Sequence, residues 1–336
     1  MKGRCHNVST KTIANKKVSA SSKMLPKGAF QQVLAFASLL LLVIFFSIAS
    51  SNFLQYSNLI GILLSTAVIG VLALGATFVI ITGGIDLSVG TVMTLSSVMT
   101  GVFIVQAGVP LWIGVIGGIL TGAFCGFLCG IAIAKMQIPP FIATLAMMMI
   151  AKGLALVISN AAPIYFSDYP LFSKISLGNM ISGVPNAVII FFVLAIIAAI
   201  ILSKTILGRY NEAIGSNEEA TKLSGVNVDF WKVTIYTVAG AFTGIGGVLM
   251  ASRLNSAQPA LGQGYELEAI AAVVIGGTSL SGGKGTIVGT VIGALIMSVL
   301  TNGLRIMSIP QEWQTVIVGA VIIIAVYIDM IRKKKD

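Results

Sequence analysis

From Gly28 to Ile85 the chain carries no charged residue, and Asp86 is the only charge between Lys27 and Lys135. An uncharged apolar stretch of that length cannot cover a water-facing surface, so it has to be threaded through lipid. The rest of the chain agrees. Of its 336 residues 56% are hydrophobic and 10% charged, where an ordinary soluble domain is about a quarter charged. A soluble enzyme is excluded, and the chain reads as a single membrane domain.

The formal charge of +10 sits at the two ends. Residues 1–27 hold seven Lys/Arg and no acid, and the end Arg332–Asp336 reads Arg-Lys-Lys-Lys-Asp. A neutral apolar body with basic ends argues against a nucleic-acid partner and marks both ends as cytoplasmic, which requires an even number of crossings. Apolar runs predict ten spans, at about 32–50, 58–81, 87–106, 111–134, 139–158, 186–204, 233–252, 266–281, 286–304 and 313–331. The first could pass for a secretory leader, but no clear cleavage pattern follows and further spans do, so it stays attached. The expected architecture is therefore all-α and polytopic, with Gly-rich broken helices. A basic tail (1–30) precedes a transmembrane domain (31–331) with an inner loop at 204–232, and a basic end (332–336) follows.

Metal and nucleophile chemistry have little material. The cysteines are Cys5, Cys125 and Cys129, with no C-x-x-C pair, and His6 is the only histidine. A zinc site is not expected, and Cys125 and Cys129 read as small apolar packing residues. The segment Leu280-Ser281-Gly282-Gly283-Lys284-Gly285 lacks the spacing and the hydroxyl of a phosphate loop, so the chain is not expected to hydrolyse ATP itself.

Glycines carry most of the remaining pattern. Gly114, Gly118, Gly122, Gly126 and Gly130 recur every fourth residue, and Gly240/Gly244 and Gly285/Gly289/Gly293 repeat the device. Such ridges let helices approach closely. The pattern G-G-x-x-L-S-x-G occurs twice, as Gly83–Gly90 and as Gly276–Gly283. Gly-interrupted segments at matching places point to a transport pathway, which singles out Gly83, Gly84, Asp86, Ser88, Gly276, Gly277, Ser281 and Gly283. Asp86 stands before a helical run, where its carboxylate is expected to cap two free amides, a role compatible with a broken-helix site. Glu266 and Glu268 open another span and suit its dipole. Arg253 and Arg305 are expected near the outer face, where acids could pair with them.

The inner loop is the most charged stretch between the tails. Residues 217–224 predict a short helix, with Asn217 as cap, Glu218 and Glu219 in the first turn, Lys222 near the end and Gly225 as the stop.

Four segments together resemble the permease subunits of bacterial ATP-binding cassette (ABC) sugar importers, and the ribose permease group most. They are GGIDLSVG at 83–90, PPFIATLAMM at 139–148, the 208–226 loop, and the run from Ser256 to Ala294. The resemblance implies that the loop docks on a partner ATPase through Glu219, Ala220 and Gly225, with Glu218 beside them. It implies that the Gly-rich segments line or gate a sugar path, for which Asp86, Ser88, Thr91, Ser256, Gln258 and Asn302 are the polar candidates. It also implies a second permease subunit, an identical copy by preference, an extracytoplasmic sugar-binding protein, and ATP and magnesium only through the ATPase. The expected place is the bacterial inner membrane, among lipid. Two alternatives stand beside ribose import. One is a secondary transporter using Asp86, Glu266 or Glu268 as ion ligands. The other is an ABC permease for another pentose, a hexose or a furanosyl signalling molecule.

Overall fold

The computed structural model describes residues 27–333. Most of the 1–30 tail and all of it bearing Cys5 and His6, together with residues 334–336 of the basic end, lie outside the described residues. Thirteen α-helices follow one another: α1 (Lys27–Ala49), α2 (Tyr56–Ile81), α3 (Val89–Gly101), α4 (Leu111–Ala134), α5 (Pro140–Ile158), α6 (Pro170–Leu177), α7 (Asn186–Lys204), α8 (Ile206–Ser216), α9 (Glu218–Leu223), α10 (Val228–Leu254), α11 (Tyr265–Ile275), α12 (Ile287–Ile306) and α13 (Gln311–Lys333). A π-helical turn, Val102–Gln106, extends α3. Two short strands, β1 (Ile164–Tyr165) and β2 (Ser256–Ala257), pair antiparallel and tie two distant loops together at one end of the bundle.

Among the described residues nine helices are long and apolar enough to cross a membrane, and they match nine of the ten expected spans. The tenth, 266–281, is corrected: helix α11 is 11 residues long and stops at Gly276-Gly277, where Gly277 takes φ +92°. Eleven residues rise about 16 Å, roughly half the hydrocarbon thickness. The crossing is made nonetheless. Helix α10 ends beside the β-ribbon, whereas α12 starts beside the end of α2, where Gly283 N–H donates to the Ile81 carbonyl (2.8 Å). Half a helix and a Gly-rich loop thus carry the chain from one end to the other.

Of the residues in the long central helices α2, α3 and α10 about two-thirds to three-quarters are buried, whereas few of those in α1 and α13 are. Side chains such as Ile48, Val157 and Ile323 project outward, the arrangement a lipid-facing rim requires. A close seam joins α4 to α10. A Cβ at Gly122 would stand 2.4 Å from the Gly240 carbonyl oxygen, and one at Gly126 only 2.2 Å from the Tyr236 carbonyl oxygen. The fourfold glycine spacing is therefore a packing device. Cys125 and Cys129 lie on the same helix, both buried and free.

Backbone-to-Cβ clashes cannot be relieved by a rotamer change. Gly126→Val is expected to lower the melting temperature of the detergent-purified protein sharply, as overpacking costs about 1–3 kcal/mol or more. Gly153→Ala, where a Cβ meets nothing within 4 Å, is expected to stabilise by roughly 0.5–1 kcal/mol through helix propensity. Equal melting temperatures for the two variants would contradict the seam.

Candidate functional site

Two features converge at the end opposite the β-ribbon. The first is the helix pair α8–α9. Thr205 caps α8 by accepting from Gly208 N–H, and Asn217 caps α9 by accepting from Ala220 N–H (2.9 Å). Glu218 and Glu219 occupy the first turn of α9, Lys222 its last, and Gly225 follows with φ +83°. Lys232, on α10, donates to both oxygens of Glu218 at 2.7 Å and anchors α9 against that helix. Glu219, Ala220, Lys222 and Gly225 face outward, and Leu223 is 89% exposed.

The second feature is a main-chain joint. The two GG-x-x-LS-x-G segments, 193 residues apart, meet each other there. Besides the Gly283–Ile81 bond, Gly282 packs against Gly83 N and the Gly215 carbonyl, and Gly283 packs against Ser216. Gly215 lies so close to the Ile81 carbonyl that a Cβ there would sit 1.8 Å from it. Asn211, fully buried on α8, donates to the Phe78 carbonyl (3.1 Å). The end of α8 is thus wedged between both Gly-rich segments. Only part of this was open to sequence reading: the α9 cap was, whereas α8 and its residues Asn211 and Gly215 were not singled out. Thr205 followed three residues later by Gly208 was their one local signal.

Asp86 departs from the expected cap. Ser88 is the N-cap residue of α3, and a single Asp86 oxygen, Oδ1, accepts from both the Ser88 amide (2.8 Å) and the Ser88 hydroxyl (2.6 Å). The carboxylate thus closes a turn two residues ahead of the helix and takes one amide, not two. Local side-chain turns of this kind compete with capping for the same acid. Thr91 donates to the Ser88 carbonyl, which keeps Asp86, Ser88 and Thr91 in one cluster, all buried. The Thr144 hydroxyl, 2.9 Å from the Pro140 carbonyl of its own helix, also reaches the Ile85 carbonyl (3.2 Å) and so ties the extended stretch to α5. Beside it a cavity of about 360 Å³ opens between Gly83-Gly84, Pro139-Pro140, Tyr236 and the Glu218–Lys232 pair. The Tyr236 hydroxyl is buried there without a hydrogen-bond partner.

The remaining polar candidates do not join this cluster. Ser256 is buried in β2 and receives a bond from Gln258 Nε2 (3.0 Å), at the other end of the bundle. Asn302 keeps a buried Oδ1 without a partner. Glu266 accepts from Gly264 N–H with both oxygens, consistent with its helix-start position. Arg253 donates to Ser65 Oγ (3.2 Å), and neither it nor Arg305 is ion-paired with an acid among the described residues.

A multi-pass helical body, helices broken at paired glycines, and a capped helix pair fused to both breaks define a transport permease rather than an enzyme. The chain belongs to the family described as "Branched-chain amino acid transport system / permease component", whose model matches residues 58–326. It is 42% identical to the ribose import permease protein of Escherichia coli (strain K12) over 87% of this chain and 91% of that one. It is 44% identical to the ribose import permease protein of Bacillus subtilis (strain 168) over 91% and 94%. The fructose import permease protein of Rhizobium meliloti is 38% identical over 87% and 83%. No solved structure matches the chain significantly.

Because one oxygen of Asp86 serves both bonds, Asp86→Asn is expected to keep the turn and the fold. Asp86→Leu removes a charged acceptor from a buried amide and hydroxyl and is expected to cost about 1.5–3 kcal/mol. Thermal unfolding of both purified variants checks this, and a Leu variant as stable as Asn would contradict the assignment.

Proposed function

We propose that this chain is the membrane-spanning subunit of an ATP-driven importer that carries a neutral sugar, ribose in the first place, across the bacterial inner membrane. The observation that carries the reading is the 42–44% identity to ribose import permease proteins over nearly the whole of both chains. The family description names branched-chain amino acids. A sugar fits better here, because the buried Asp86, Ser88, Thr91 and Ser256 and the half-buried Gln258 are hydroxyl, amide and carboxylate groups, which suit a polyol and not an aliphatic side chain.

In this reading residues 31–331 are the permease domain and 204–232 its coupling loop, with both chain ends on the cytoplasmic side. The chain itself holds no cofactor. ATP and magnesium act in a separate ATPase that docks on Glu218, Glu219, Ala220, Leu223 and Gly225. A second permease copy completes the path, and an extracytoplasmic binding protein delivers the sugar at the β-ribbon end.

The mechanism follows from the joint. When nucleotide binding moves the docking helix, α8 moves with it, since only Asn217 separates the two helices. Gly215 and Ser216 then press on Ile81 and on Gly282-Gly283 together. Both Gly-rich segments shift as one unit, and with them the stretch holding Asp86 and Ser88 on one side and α11 on the other. The docking force biases two states of the path, and no proton or ion gradient is needed.

The experiment is uptake into proteoliposomes. The permease with its ATPase, binding protein and ATP is expected to concentrate D-ribose, and the permease alone under a proton or sodium gradient is not. Accumulation by the lone chain, or uptake of leucine in place of ribose, would overturn the reading. Within the same assembly Leu223→Asp is expected to weaken copurification of the ATPase about tenfold or more, the loss typical of an interface anchor. Undiminished copurification would remove α9 as the docking element.

A further inference from the structure

At the β-ribbon end a second cavity of about 470 Å³ lies between α2, the end of α10 and the consecutive helices α11, α12 and α13. Arg253 in the last turn of α10, Arg305 in the last turn of α12, and Tyr265 and Glu268 in the first turn of α11 all line it, with Gln263 and Gln314. Its size falls within the range of small-molecule sites.

The charges in it are unspent. Among the described residues no ion pair joins Glu268 to either arginine, and its carboxylate, the Arg305 guanidinium and the Tyr265 hydroxyl have no hydrogen-bond partner. Arg253 uses one nitrogen, on Ser65 Oγ. Gln314 is buried and spends its amide nitrogen on the Ile309 carbonyl, which leaves its oxygen as an acceptor. Arg253 and Glu268 are half-buried and Arg305 is exposed at the mouth of the cavity; a half-buried charge in a membrane domain that lacks an ion-pair partner is a candidate for a functional role.

We infer that this cavity is a subsite for a neutral polyhydroxyl molecule of pentose or hexose size, on the route that the sugar takes after delivery; the inference rests on the sugar-importer reading. The lining suits this class by its hydrogen-bond groups: Glu268 offsets one of the two guanidinium groups, and donors and acceptors stand side by side. A sugar hydroxyl both donates and accepts, so it matches a carboxylate and an amide oxygen on one side and guanidinium donors on the other. The site lies beside α11, whose far end is Gly276-Gly277 and the joint. Occupancy and the motion of the Gly-rich loop therefore act on the same short helix.

The test uses the complete importer in proteoliposomes and two readouts. In Glu268→Gln and Arg305→Gln, D-ribose taken up per ATP hydrolysed is expected to fall about tenfold, the loss of one charged hydrogen bond. A merely structural role would lower uptake and hydrolysis together and leave the ratio unchanged. In Thr315→Cys, a substitution on the cavity wall, D-ribose is expected to slow labelling by a membrane-impermeant thiol reagent, after subtraction of labelling in the wild-type protein. Labelling indifferent to D-ribose overturns the subsite whatever the other variants do. Slowing by inorganic phosphate or by anionic lipid, and not by D-ribose, overturns it in favour of an anion site. Failure of the wild-type importer to take up any neutral sugar tells instead against the importer reading, and the labelling result is then read for the cavity alone.

Discussion

A main chain inside lipid has to satisfy its own amides and carbonyls, and helices do this residue by residue. This molecule gives up that protection twice, at Gly83–Ser88 and at Gly276–Thr286. Both interruptions survive because protein surrounds them and because they bond to something outside themselves. Gly283 N–H finds the Ile81 carbonyl, Thr144 finds the Ile85 carbonyl, and Asp86 supplies an acceptor to Ser88. The close α4–α10 seam serves the same end, since it brings in the helices that wall off the first break. Everything that distinguishes the fold from a plain bundle is arranged around covering these two stretches.

Sequence reading recovered the parts governed by local rules. Apolar length located nine long helices, and the fourfold glycine spacing located the seam, since both depend on neighbours along one helix. Asn217 and Gly225 located α9 for the same reason. It overestimated 266–281, because hydropathy measures apolar character and is blind to the positive φ at Gly277 that ends the helix. It expected Asp86 to cap α3, because it could not weigh a turn to Ser88 against a bond to the helix. The meeting of Gly83, Gly215 and Gly282 was beyond it, since three segments far apart in the chain approach through bare backbone and leave only the word glycine at each place.

The ends of the bundle differ in the kind of contact they offer. The α8–α9 end presents a firm, capped surface with an exposed Leu223 and one ion pair that anchors it to α10. The opposite end presents a ribbon of two residues per strand and a cavity whose charges are uncommitted. In the proposed reading one end takes a protein partner and the other a small polar molecule, and α11 with the Gly-rich loop behind it connects them.

The joint of Ile81, Gly215 and Gly282-Gly283 is made of main-chain atoms. Main chain is the same whatever residue is installed, so no substitution there can strengthen or soften the contact by degrees. A Cβ at Gly215 removes it outright, and nothing short of a Cβ alters it. The joint is therefore an element without adjustable stiffness. In the proposed reading, divergence in speed or cargo within this architecture has to be written elsewhere, in the side chains of α9 and of the cavity wall, while the hinge between them stays all or none.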